Sequence, residues 1–173
     1  MKTKKTIEII LKKYKIVKYT INNDESVNID GDVYLNDRKF KELPVNFRKV
    51  TRYFYCDNCP YLSSLKGAPK EVGESFFCCD CSNLSSLKGA PEKVGGYFYC
   101  DNCPKLSSLQ YAPLKCKIPN LEVYFLNGTK IDKIEADKYL LRRILLNDFS
   151  LIEEYSNKNK IKPLLVMKDF DLL

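Results

Sequence analysis

Six cysteines stand in three Cys-x-x-Cys pairs, Cys56/Cys59, Cys78/Cys81 and Cys100/Cys103, repeated every 22 residues. Paired thiolates at this spacing match a structural zinc site, in which four deprotonated sulfurs surround one ion. They could equally serve redox chemistry or, in an oxidising compartment, close disulfides. Acids accompany each pair: Asp57, Asp80 and Asp101. Carboxylates can act as general acids and bases, but the chain has no histidine, the commonest general base and metal ligand. Neither G-x-x-x-x-G-K-[ST] nor G-x-G-x-x-G occurs, so no nucleotide motif is present. The acids therefore read as turn-formers. No enzyme activity, catalytic residue, resident metal or cofactor is expected.

The elements that must position these residues are themselves repeated. The stretch FYCDNCPYLSSLKGAP from Phe54 and the stretch FYCDNCPKLSSLQYAP from Phe98 agree at 13 of 16 positions, with FFCCDCSNLSSLKGAP from Phe76 between them. Columns follow: Phe54, Phe76 and Phe98; Leu62, Leu84 and Leu106; Leu65, Leu87 and Leu109. A fixed period of this length is the mark of a repeat architecture, in which each copy buries its apolar face only against the next. Upstream, Val50, Leu43 and Phe40 sit one period before Val72, Leu65 and Leu62, and Tyr34 precedes Cys56. Downstream, Val123, Phe125, Gly128, Ile131 and Ile134 reproduce the internal spacing of the third copy. Phe54 and Cys56 alternate with Tyr53, Tyr55 and Asp57, which predicts a short strand with one face buried. The segment LKGAPKEVGE is too rich in glycine and proline for a helix and predicts an extended return.

The frame Phe54-x-Cys56-x-x-Cys59-x-x-Leu62-x-x-Leu65 resembles that of leucine-rich repeats, particularly the bacterial class of about 22 residues. NIDGDVYLNDRKFKELPVNFRKVTRYFYC is also similar to the start of uncharacterised repeat proteins of phages and mobile elements. The resemblance spans about Ile29 to Ile134. It implies a curved parallel-sheet solenoid with a binding role, and no catalytic residues.

In such a coil the first cysteine of each pair faces inward, and the second bonds to neighbouring backbone. Free cysteine, small and usually buried, suits both places. Strands about 4.8 Å apart would make each column a stack of thiols rather than a tetrahedron. Core packing is therefore the expectation for the six, with a zinc-stabilised or redox module as the alternative. Cys79 should point outward as a surface thiol, and Cys116 lies in an insertion before the last coil.

The net charge of +7 divides as +6 over residues 1–53, −1 over 54–113 and +2 over 114–173. A near-neutral array predicts no line of bases to displace counterions from a nucleic acid. The basic run Lys12, Lys13, Lys15 and Lys18 offers nucleic-acid binding as an alternative, against a solvated helix face. The start lacks the features of a signal peptide, and no stretch is apolar for the length of a membrane span, which predicts a cytoplasmic protein with reduced thiols.

The fold class expected is α+β: a short leucine-rich-repeat-like β-solenoid of about five coils in one domain. An N-terminal helix and hairpin over residues 1–31 would cap the array of residues 32–134, and helices over 135–173 would cap its other end. KTIEIILKKY carries Ile7, Ile10, Leu11 and Tyr14 at helical spacing, and the hairpin would turn at Asn23 to Ser26. Two C-terminal helices would break near Asn147 to Ser150.

If Phe54 faces inward, a column of Tyr55, Phe77 and Tyr99, preceded by Val33, faces outward. Tyr53, Tyr97, Asp57, Cys79 and Asp101 flank it, with Ser75 beside them. Tyrosines of this kind are enriched at interfaces, so these residues are the expected partner-binding surface. The partner expected is another protein, with a homodimer left open and neither nucleic acid nor membrane expected. The resemblance to phage proteins extends this to an inhibitor or modulator of a host or defence protein.

Overall fold

The computed structural model describes residues 2–117 and 127–147. The chain divides into two compact units, Met1–Ile131 and Asp132–Leu173. The first is a β-solenoid of about four turns with a spacing of about 22 residues.

It begins with α1, Lys4–Lys13. Thr3 caps this helix by accepting the Thr6 N–H, and Ile7 and Leu11 form its buried side. At the other end Lys15 takes a left-handed conformation (φ 58°), which lets Ile16 N–H reach the Leu11 carbonyl and Lys15 N–H reach that of Lys12. These two bonds are those of a Schellman motif, and Leu11 and Ile16 are both buried beside it. β1 (Tyr19–Ile21) and β2 (Val27–Ile29) form the expected hairpin, antiparallel, with Tyr19 opposite Ile29. Its turn is tied by Asp24, whose Oδ1 accepts from both the N–H and the hydroxyl of Ser26.

Successive coils contribute a short strand to each of two faces, and in the third copy the two strands run together as one. β4 (Phe47–Val50), β6 (Glu71–Val72) and the start of β8 (Lys93–Tyr99) stack in parallel on β2, with β9 (Lys115–Lys117) next to β8. On a second face, β3 (Val33–Tyr34), β5 (Phe54–Tyr55), β7 (Phe76–Phe77) and the end of β8 pair in parallel. Between the faces the chain turns a corner at Thr51, Gly73 and Gly95. A Cβ on Gly73 would lie 2.0 Å from the Thr51 carbonyl oxygen, and one on Gly95 would lie 2.0 Å from that of Gly73. Successive coils touch backbone to backbone there.

Inside, Phe54, Phe76 and Phe98 are fully buried and stack at 5.0 and 5.3 Å between ring centroids. The leucine columns line the remaining wall, with Leu62, Leu65, Leu84, Leu87, Leu106 and Leu109 all buried. The turn after each second-face strand uses Asp37, Asn58, Asp80 and Asn102, all at φ between 50° and 60°. Asn and Asp tolerate that left-handed geometry better than other non-glycine residues, so Asp80 is a turn-former as expected, whereas Asp57 and Asp101 lie one position earlier.

Three sequence expectations need correction. The first interval is 21 residues and not 22: Val33 pairs with Phe54 and Tyr34 with Tyr55. Val33 is therefore a core residue, fully buried, and Tyr34 takes the outward place assigned to it. Ser75 is also buried rather than outward, its Oγ accepting the Tyr97 N–H at 3.0 Å. Ile134 does not continue the leucine column. It belongs to α2 (Lys133–Asn147) of the second unit and is exposed. The repeat does continue past the third copy, since Asn102 N–H bonds the Asn127 carbonyl, Lys130 N–H bonds that of Leu106, and Ile131 is buried. Val123, Phe125 and the second C-terminal helix lie outside the described residues. Among those described, no helix is long and apolar enough to cross a membrane.

Candidate binding face

The thiols come first, because their spacing is what suggests chemistry. All eight cysteines are free, and the six in pairs are completely buried. Each Cys-x-x-Cys is divided between two columns wired across coils. Cys56 and Cys78 donate their S–H groups forward, to the carbonyls of Phe77 and Tyr99, both at 3.2 Å. Cys59, Cys81 and Cys103 donate backward, to the carbonyls of Leu35, Cys56 and Cys78 at 3.3 to 3.4 Å. Burial pushes Cys56, Cys78 and Cys100 well above the ordinary thiol range. A hydrogen bond with the neighbouring thiol in its column raises Cys59, and the corresponding bond with Cys103 pushes Cys81 up to about 12. Zinc ligation and redox exchange both require the thiolate, which this environment disfavours. Among the described residues no group of three or more Cys, Asp or Glu side chains is arranged to hold a metal ion. The arrangement cross-links coils by hydrogen bonds.

The outward side of the second face carries a ladder of rings. Tyr34, Tyr55, Phe77 and Tyr99 stack in order, with centroids 5.0, 4.7 and 4.7 Å apart and planes within 10° of parallel. The strand register imposes it: residues paired across parallel strands have the same side-chain direction, and the strand spacing is close to a stacking distance. Tyr53 and Tyr97 extend the surface sideways, 5.9 Å from Tyr55 and 5.8 Å from Tyr99. Because Tyr55 and Phe77 are covered on both faces by neighbouring rings, the ladder presents mainly edges and phenol hydroxyls outward. Tyr55, Phe77 and Tyr99 are half-buried in this way, while Tyr34, at the first end, is 58% exposed.

Beside the rings runs a polar column, Asn36, Asp57, Cys79 and Asp101. Asp57 N–H donates to Asn36 Oδ1 at 2.9 Å, Cys79 N–H to Asp57 Oδ1 at 2.8 Å, and the Cys79 thiol to Asp101 Oδ1 at 2.8 Å. Cys79 is thus half-buried and held, rather than the free surface thiol expected. Burial, then the bond to Asp101, raises its pKa. Burial also raises the Asp57 carboxyl above its ordinary value, with the bond from Cys79 opposing and Asp80 and Asp101 adding to the effect. The structure therefore brings Tyr53, Tyr55, Asp57, Phe77, Cys79, Tyr97, Tyr99 and Asp101 onto one face, and excludes Val33 from it.

Sequence reasoning missed how charge is divided between the two faces. The strands of the second face and their flanks, residues 31–37, 52–58, 74–80 and 96–102, carry Asp32, Asp37, Asp57, Glu74, Asp80 and Asp101 against a single base, Arg52. Arg52 Nε lies 3.5 Å from Asp32. The first face is the reverse. Lys49, Glu71, Lys93 and Lys115 share one register, and Arg48 and Lys70 precede Lys49 and Glu71. Ion pairs at 3.3 Å (Lys49–Glu71) and 2.6 Å (Lys70–Glu92) tie coils together there. Bases do line up on this face, contrary to the expectation drawn from a near-neutral sum. Comparing charges at an interval of 22 residues would have found the separation.

No family model matches the chain, and neither does any curated protein or solved structure.

Proposed function

We propose that this protein is a non-enzymatic binding module that holds another protein against the ring ladder of its second face. The observation that carries this reading is the ladder itself. Four stacked aromatics stand on the outside of a solenoid whose core already contains a full column of phenylalanines. Stability alone gives little reason for them, and rigid tyrosines are favoured in interfaces because they contribute area at small entropic cost. The rings are carried by paired strands and are set in place before any partner arrives, which lowers the ordering cost of binding. The reading includes a cytoplasmic setting and, on the sequence resemblance to phage and leucine-rich-repeat proteins alone, inhibition or redirection of a host protein.

Capture from lysate of the source cell tests it, using wild-type chain, Tyr55→Ser/Tyr99→Ser and Lys49→Ser/Lys93→Ser side by side. A partner held by the wild type and the lysine variant but lost by the tyrosine variant is the expected result. Equal capture by all three would remove the ladder from consideration.

A second reading is favoured by the alignment of Arg48, Lys49, Lys70, Lys93 and Lys115 on the first face: binding of a nucleic acid there. Glu71 and Glu92 already pair with Lys49 and Lys70, which weakens it. Retention of the chain on nucleic acid, lost as salt rises and lost by the lysine variant alone, would favour this second reading.

A further inference from the structure

From the charge around the ladder we infer the chemistry of its partner: a basic segment, bearing arginine or lysine, laid across the stacked rings. The inference rests on the binding role proposed above and goes further by naming what is bound.

In a chain of net charge +7, the ladder face gathers six acids around one base. These acids are distributed on both sides of the rings. Asp32 lies two residues before Tyr34 and Asp57 two residues after Tyr55, so both share the outward side of their strands with the rings. Asp101 has the same relation to Tyr99, and Asp37, Glu74 and Asp80 stand at the strand flanks. The bases that make the chain positive lie elsewhere, with Lys49, Lys93 and Lys115 on the first face.

A face of this sign repels an acidic partner and steers a basic one toward it. The rings add to the selection. Phenol oxygens of Tyr34 and Tyr55 can accept hydrogen bonds from guanidinium or ammonium groups, and the aliphatic stems of arginine and lysine can lie along ring edges. The carboxylates retain acceptor capacity for this purpose. Asp57 takes its Cys79 N–H bond through Oδ1, and Asp101 takes the Cys79 thiol through Oδ1, which leaves each Oδ2 for an incoming donor. Burial is the main cause of the raised pKa of Asp57, and the charges of Asp80 and Asp101 add to it; an arriving cation would offset that added part.

Selection from a random peptide library displayed on phage, with the chain immobilised, tests the inference without knowledge of the natural partner. Peptides retained by the wild type are sequenced and rebound to Tyr55→Ser/Tyr99→Ser and to Asp57→Asn/Asp101→Asn. Asparagine already serves this column at Asn36, where Oδ1 accepts a backbone N–H, so the second variant keeps the fold, and its unfolding midpoint verifies that. The expected peptides are enriched in arginine and lysine, lose binding to the tyrosine variant, and bind the asparagine variant about tenfold more weakly at low salt. That difference should shrink as salt rises. Ladder-dependent peptides with no excess of basic residues, or basic peptides bound equally by the asparagine variant, would overturn the inference and leave the binding face standing. Failure to recover any ladder-dependent peptide would count against the binding face and the inference together.

Discussion

Tyr55 and Phe77 lie with ring centroids 4.7 Å apart and planes 8° from parallel, on the outside of two adjacent strands. One residue earlier on the same strands, Phe54 and Phe76 stack at 5.0 Å on the inside. The two pairs arise from one register, yet they have different consequences. The inner pair is sealed by the core, whereas removal of the outer rings leaves no internal cavity.

The inner column should therefore dominate stability. Phe76→Ala is expected to cost about 3 to 5 kcal/mol, the range for emptying a packed aromatic site. Denaturant unfolding measures it, and an unchanged midpoint would mean that the buried column has been misassigned.

The corner between the faces is equally intolerant for a different reason. Gly73→Ala would place a Cβ 2.0 Å from the Thr51 carbonyl oxygen, and backbone cannot move aside as a side chain can. A loss of about 3 kcal/mol is expected, at the upper end of overpacking costs. Thermal unfolding of the variant checks this, and a loss well under 1 kcal/mol would contradict so close an approach.

Asp57 predicts a pH dependence of defined sign. Its carboxyl is raised in the fold above the ordinary value of 3.8. The folded state then binds its proton more tightly than the unfolded state does, so this contribution to stability is full below the unfolded value. It is lost as pH rises through the window up to the raised folded value. Asp57→Asn removes the penalty while keeping an oxygen for the Cys79 N–H. The variant should melt higher than wild type at neutral pH and equal to it in acid. A difference of the same size at both pH values would show that ionisation of Asp57 is not its source.

Asp101 should add to the restraint that burial places on the reactivity of Cys79. Its carboxylate accepts the thiol proton at 2.8 Å and helps to raise the pKa of a thiol already raised by burial. Asp101→Asn removes the negative charge, so iodoacetamide should label Cys79 faster in the variant at the same pH. Mass spectrometry of the labelled peptide reads the rate, and an unchanged rate would place the control elsewhere.

Much of this was legible because the repeat acts as an internal alignment. Three near-identical copies place Phe54, Phe76 and Phe98 in one column, and alternation then assigns Tyr55, Phe77 and Tyr99 to the other side. What the sequence obscured was local. A uniform period of 22 points Val33 outward, but the first coil is one residue shorter, and in a strand a shift of one residue exchanges the faces. Cys79 looked like a free thiol because its partner, Asp101, is 22 residues distant and meets it only when coils stack. The charge separation was hidden by summing along the chain, whereas a solenoid sums across coils. The same one-residue difference places Tyr34 at one end of the ladder, where a uniform period of 22 aligns it with Cys56.

The central claim, that the ring ladder is where another protein binds, is tested most directly by covalent capture at the ladder itself. Phe77 is replaced by photoreactive p-benzoyl-phenylalanine, which keeps a ring in the stack, and Lys93 on the first face receives the same replacement as a control. Irradiation in the source cell, followed by mass spectrometry of the adducts, is expected to join position 77 to a different protein and to leave position 93 without that adduct. Adducts of that protein at position 93 and not at position 77, or adducts at position 77 solely with a second copy of the chain, would contradict the account.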